Sequence, residues 1–89
     1  MREITDAVAI IEAKLSELGG FASSFVEVRD NGREIILGAN EAGLLQLTLH
    51  LLTLAGSNAD GSHVHLDEHS GADVAERALV LRRSHANEA

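Results

Sequence analysis

The sequence predicts an α+β domain in the order α-β-β-α-β-β: a four-stranded, mainly antiparallel sheet with two helices packed on one face. Three observations lead there. Ile4, Val8, Ile11, Leu15 and Leu18 recur at alternating spacings of four and three, which is the apolar stripe of an amphipathic helix. A second helical segment, Glu41 to Ala55, carries seven leucines. Between and after these segments, short β-rich runs are separated by Gly- and Asn-containing turns. Two hairpins, each following a helix, imply one sheet with the helices as a second layer.

The first helix is expected to stop at Gly19-Gly20, because glycine readily takes the left-handed conformation that closes a helix. Phe25 to Arg29 reads as a strand with Val26 and Val28 on one face. Asp30-Asn31-Gly32 reads as a turn, since Asn-Gly favours the positive φ angles of a tight hairpin. Arg33 to Leu37 is the returning strand, ended by Gly38. Asn40 is a good N-cap, its side chain able to accept from a free amide of the first turn. The helix that follows leaves only Gln46, His50 and Thr53 as a narrow polar stripe. Such a helix needs cover on most sides, from the sheet and from another helix, of this chain or of a second subunit.

Gly56 closes that helix and Ser57 to Gly61 forms a polar loop. Ser62 to Asp67 alternates polar and apolar as a half-buried strand does. Glu68 to Ala75 is a longer connection around Gly71, and Glu76 to Arg82 is the last strand. Its near-continuous apolar character places it inside the sheet, beside the second strand, with the third strand at an edge. The crossover from second to third strand should be right-handed. Residues 1–83 are thus expected to form one domain, with 84–89 a frayed tail.

Composition narrows the function. At 89 residues the chain buries one core, and only around 60% of the surface that the unfolded chain exposes. It has two Phe, no Trp and no Tyr, which disfavours base-stacking platforms. With no Cys, disulfides and thiolate metal sites are excluded. No apolar run approaches the ~20 residues of a membrane span. The acidic start, Met1-Arg2-Glu3-Ile4-Thr5-Asp6, does not read as a secretion signal, so a cytoplasmic location is expected.

Charge is the more telling property. The net charge is −7, from 14 acids against seven bases. No Lys or Arg falls between Arg33 and Arg77, a gap holding Glu34, Glu41, Asp60, Asp67, Glu68, Asp73 and Glu76. Those seven acids equal the whole excess. Phosphate backbones require the opposite sign. Direct nucleic-acid binding is disfavoured and a cationic protein partner is favoured.

The densest cluster of potential ligands is His63-Val64-His65-Leu66-Asp67-Glu68-His69. Period-two geometry would set His63, His65 and Asp67 on one face of a strand. Two imidazoles and a carboxylate suit zinc or iron, which makes His63, His65, Asp67 and His69 weak metal candidates. The H-x-H-x-D-H signature of metallo-β-lactamase-type hydrolases is not met, because Glu68 intervenes before His69 and the chain lacks the further ligands. No catalytic residues are expected: Ser62 and His63 point to opposite faces of a strand and cannot form a dyad. Gly38 to Gly43 lacks the Lys and Ser/Thr of a phosphate loop. No cofactor is implied.

From Gly38 to Leu81 the chain resembles a family of small bacterial immunity proteins from polymorphic toxin systems, the family numbered 32. The resemblance lies in Gly38-Ala39-Asn40-Glu41-Ala42-Gly43-Leu44-Leu45 opening a Leu-rich helix, then Gly61-Ser62-His63-Val64-His65-Leu66-Asp67, then Ala78-Leu79-Val80-Leu81. It departs from the family at Ser62 and at His69-Ser70-Gly71. It implies binding to a toxin and carries no catalytic residues across. The expected partner surface is His63, His65, Asp67, Glu68 and Asp73. Two alternatives stand beside it: a metal-binding or metal-sensing module, and a homodimeric domain whose apolar helix and sheet form the interface.

Overall fold

The computed structural model describes residues 2–88, with Arg2 described for its backbone alone. Met1, which opens the expected domain, and Ala89, which ends the expected tail, lie outside the described residues. The elements are α1 (Arg2–Glu17), β1 (Val26–Asp30), β2 (Ile35–Ala39), α2 (Glu41–Ala55), β3 (His63–Leu66), β4 (Val74–Ala75) and β5 (Leu79–Arg82), with a 3-10 turn at Gly20–Ser23. The α+β class stands, as do both helices. Gly19 and Gly20 take φ of 103° and 72° after α1, a region that costs glycine nothing sterically.

Asn40 caps α2 as its position suggests, and it reaches further than a cap. Its Oδ1 accepts from Gly43 N at 2.8 Å and from Phe25 N at 2.9 Å. Its Nδ2 donates to the Ser23 carbonyl at 2.9 Å, and its own N–H donates to Phe25 O at 3.1 Å. One side chain therefore ties the end of β2, the start of α2, the 3-10 turn and the entry to β1. Gly43 completes the junction. A Cβ there would collide with the Phe25 carbonyl and press on Ala39, so only glycine lets α2 approach the backbone this closely.

β1 and β2 pair antiparallel from Val26↔Ala39 to Asp30↔Ile35. The returning strand begins two residues later than expected because side chains build the turn. Asp30 Oδ1 accepts from Gly32 N, and Asn31 Oδ1 accepts from the amides of Arg33 and Glu34, each at 2.9 Å. Gly32 alone in this turn has positive φ, 86°.

The single four-stranded sheet is not formed. The strands divide into a three-stranded sheet, β2-β1-β4, and a two-stranded ribbon, β3-β5. The last strand pairs with β3 and does not lie beside β2. The cause is a strand hidden in the Glu68–Ala75 connection: Val74–Ala75 pairs parallel with β1 at Glu27↔Val74 and Val28↔Ala75. Asp73 and Glu76 clamp it. Asp73 Oδ2 accepts from Val26 N while its own N–H donates to Val26 O, both at 2.8 Å. Glu76 Oε1 accepts from Asp30 N, and Glu76 N donates to Val28 O, both at 2.9 Å. The free edge of β1 is thereby filled. A two-residue strand is too short to leave any periodic pattern.

The helices are also arranged differently from expectation. They do not lie side by side on one sheet face. Leu47 of α2 joins Val26, Val28 and Leu66 in one core cluster, edged by Ala39, Val64, Ala72, Ala75, Leu79 and Leu81. Ala42, Leu45 and Leu49 on the other side of α2 meet Val8, Ile11 and Leu15 of α1 and Leu18 just after it, and that cluster contains no strand residue. α2 is therefore the middle layer, with strands on one side and α1 on the other, although Leu44 and Leu51 remain 54% and 53% exposed. The domain is spread out: its radius of gyration is 13.9 Å, against about 12 Å for a compact chain of this length. At the other end, His85 N donates to Asp60 Oδ1, and Arg83 grips Glu88 through two nitrogens at 2.9 and 3.1 Å.

Two stability outcomes follow from the middle layer and its cap. Asn40→Ala removes the cap and the tie to Phe25, and should cost about 2 kcal/mol. Asn40→Asp, which keeps both acceptor bonds, should lose about half as much, as read by urea unfolding. His50 Nε2 is buried without a hydrogen-bond partner among the described residues. His50→Leu should therefore raise stability by about 1 kcal/mol; a drop would show that the imidazole is satisfied.

Candidate functional site

The β3-β5 ribbon has a core face and an open face, and alternation decides which residues go where. Leu66 is fully buried, and Val64, Leu79 and Leu81 pack against the core beside it. His63 and His65 take the other face. The register places His63 opposite Arg82 and His65 opposite Val80. The open face therefore presents His63, His65, Val80 and Arg82, all exposed. The two imidazoles meet edge to face with centroids 4.9 Å apart. His63 Nδ1 donates to the Gly61 carbonyl at 3.0 Å, which leaves Nε2 outward.

Asp67 does not extend this face. The strand ends at Leu66, and Asp67 starts a turn instead. Its Oδ1 accepts from His69 N at 2.9 Å, and its main chain exchanges bonds with Ser70 at 2.8 and 3.1 Å. This is an Asx-type turn, in which a short carboxylate competes successfully with the ladder. Gly71, at φ 79°, passes so close to the His65 carbonyl and Leu66 that a Cβ would have no room. Glu68 and His69 sit exposed at the tip. Asp73 is drawn away to clamp β4. Of the five residues expected at the partner surface, the structure keeps His63 and His65 adjacent, sets Asp67 and Glu68 in the turn beyond them, and assigns Asp73 a backbone-anchoring role.

Among the described residues, no group of three or more His, Asp and Glu is placed to hold a metal ion. The third ligand fails because the Asp67 carboxylate folds onto the turn. Ser62 Oγ shares a 2.8 Å hydrogen bond with Ser57 Oγ, while the His63 ring turns to Gly61. Serine and imidazole are not brought together.

Sequence reasoning overlooked Val80 and Arg82. Reading Ala78 to Leu81 as a continuous apolar run hid its alternation, Leu79 and Leu81 inward, Val80 and Arg82 outward. Had the alternation been followed, a cation would have been expected beside the histidines. It also overlooked a charged cluster across β1. There Arg29 meets Glu27 at 3.2 Å and Glu76 at 3.5 Å, and Arg77 meets Asp30 at 2.8 Å. The Glu27 hydrogen bond and charge hold the Arg29 guanidinium above its ordinary pKa. A shallow depression of about 330 Å³ opens beside Asp30, Arg33, Glu34, Ile35 and Arg77. The Asp30–Arg77 pair lines it together with Arg33 and Glu34, and no side-chain nucleophile with a base is among the lining residues.

These features define a small α+β protein with an open ribbon face, whose reactive side chains are held in turns and clamps. The family model described as Immunity protein 32 matches residues 34–83, more than half of the chain. The chain belongs to that family. The match runs from the turn before β2 through β5, and so spans α2 and the whole ribbon. No curated protein matches the chain, and no solved structure does. Membership gives it a toxin-neutralising role in general terms, in a family that is generally non-enzymatic. Among the described residues no helix is long and apolar enough to cross a membrane.

The Asp30 carboxyl lies below its ordinary pKa, first through the Gly32 amide and then through Arg77. A depressed carboxyl stabilises the fold above its unfolded value, near 3.8, and loses that contribution as pH falls through the lower folded value. Asp30→Asn should therefore flatten the acid limb of thermal stability below about pH 4 and leave its shape unchanged from pH 6 to 8.

Proposed function

We propose that this chain neutralises its toxin by binding it directly, with the open face of the β3-β5 ribbon and the Asp67–Glu68 turn as the contact surface and a cationic surface on the toxin as its complement. The observation that carries this reading is the uncovered set His63, His65 and Val80, with Val80 45% exposed, inside the family-matched segment. A patch with an apolar centre and hydrogen-bonding rims is what a specific interface uses. Glu68 stands at its rim with no internal partner among the described residues, and Asp67 keeps one carboxylate oxygen free beside it.

Electrostatics shapes the encounter more than the final affinity. With the net charge concentrated between Glu34 and Glu76, a basic toxin domain is steered toward this half of the molecule. Arg82 beside His63 adds discrimination: a purely basic patch cannot lie over it without repulsion, so the complementary surface places an acceptor there. Inhibition follows from occlusion and requires no chemistry from the immunity protein. The chain acts in the cytoplasm, where a toxin delivered from a neighbouring cell would be met.

The product of the adjacent gene is the natural candidate, and co-purification with it tests the reading. Glu68→Lys should slow association about tenfold at low salt, with the difference shrinking as salt rises. His65→Asp in the same assay should weaken the complex mainly through faster dissociation. A neighbouring toxin bound equally well by both variants would place the interface elsewhere.

A further inference from the structure

We propose that the β1-β2 turn is a self-modification site, at which the main-chain nitrogen of Gly32 attacks the side-chain amide of Asn31 and releases ammonia. The sequence provides the reacting pair. Asn31 is followed by Gly32, whereas Asn40, Asn58 and Asn87 are followed by Glu41, Ala59 and Glu88. Glycine has no Cβ to crowd its own nitrogen. Apart from its two chain neighbours, nothing lies within 4 Å of where a Cβ at Gly32 would stand.

The fold supplies what the dipeptide lacks, because a nucleophile, a base and a pair of oxyanion donors meet in one turn. Asn31 Oδ1 accepts from the amides of Arg33 and Glu34, both at 2.9 Å. A turn closed by a side-chain oxygen copies a backbone turn, and so folds the Asn31 side chain back over the Gly32 main chain. The same two amides polarise the carbonyl and stand ready for the oxyanion that forms when it is attacked. Asp30 Oδ1 accepts the Gly32 N–H at 2.9 Å, so a carboxylate already holds the proton that the nitrogen must lose. The Gly32 amide and Arg77 hold that carboxyl below its ordinary pKa, which keeps it an anion at neutral pH. Glu34 Oε1 lies 3.4 Å from Asn31 Nδ2 and steadies the amide against rotation.

In the reaction the Gly32 N–H proton passes to Asp30, the bond from Gly32 N to Asn31 Cγ forms, and the Cγ–Nδ2 bond breaks. The proton returns through solvent to the departing nitrogen, which leaves as ammonia. Water then opens the five-membered imide. Opening at Cγ gives aspartate at position 31. Opening at the main-chain carbonyl gives isoaspartate, with one extra carbon in the backbone. Either product sets a new carboxylate between Asp30 and Glu34, so the modified hairpin should be less stable than its parent.

None of these residues belongs to the ribbon face, so the proposal stands whether or not the ribbon binds a toxin. Incubation of the full chain in neutral buffer tests it. Peptide mapping by mass spectrometry reads conversion of amide to acid at each asparagine, and an isoaspartyl methyltransferase reads the isoaspartate. Asn31 should convert while Asn40, Asn58 and Asn87 persist. The folded chain should react about tenfold faster at Asn31 than the same chain in guanidinium chloride, where the dipeptide is kept and only the turn is lost. Asp30→Asn keeps an acceptor for the Gly32 amide and removes the base. It should slow the folded chain about tenfold, less than the loss of an enzyme's base because so acidic a carboxyl is weakly basic. The rate in guanidinium chloride should not change. A folded rate at or below the unfolded one would overturn the proposal, leaving the reaction to the dipeptide alone. So would a folded rate that Asp30→Asn leaves unaltered, or conversion spread evenly over the four asparagines.

Discussion

The architecture hangs on one amide side chain. Asn40 stands where β2 becomes α2, and its Oδ1 serves two backbone donors, one three residues ahead at Gly43 and one fifteen residues back at Phe25. Without a side chain of this length and donor–acceptor pattern, the start of β1 and the start of α2 would each carry an unpaired amide. Because Asn40 fixes the angle at which α2 leaves the sheet, it also decides which leucines turn toward the strands and which toward α1. Gly43 makes the same junction sterically possible. The segment Gly38–Gly43, which on paper looks like a degenerate phosphate loop, is a structural joint.

The acids of the central segment divide into those held by the fold and those left to the surface. Asp60, Asp67, Asp73 and Glu76 each accept from a main-chain amide. Charge-assisted bonds of this kind are stronger than neutral ones, and here they replace ladder bonds that a two-residue strand and tight turns cannot supply. Glu41 and Glu68 carry no such duty. The negative potential of this half of the molecule thus has two origins. One set of charges shapes the chain, and the other stays at the surface.

An 89-residue domain that places α2 between α1 and the strands buries two sides of that helix, leaves Leu44 and Leu51 exposed, and gives up coverage elsewhere. The sheet is closed on one edge by β4 and open on the other at β2, while the ribbon keeps one face bare. The open ribbon face is compatible with the family's toxin-neutralising role, because His63, His65, Val80 and Arg82 lie outside the core clusters.

What the sequence determined by itself was local. Periodicity specified α1 and α2, Asn40 and Gly56 bounded the second helix, and the His63–Leu66 alternation specified β3 with its histidines outward. The residues Gly38–Leu81 also carried the family resemblance. These features depend on neighbours a few positions apart, so pattern is enough to read them. The tertiary structure decided the rest: that Val74–Ala75 fills the edge of β1, that the sheet divides in two, that Asp67 and Asp73 serve the backbone, and that Arg82 joins the histidines. Each depends on groups brought together from distant positions, Asp73 with Val26 and His63 with Arg82 among them. Such pairings leave no period in the sequence, because only the closed chain makes them neighbours.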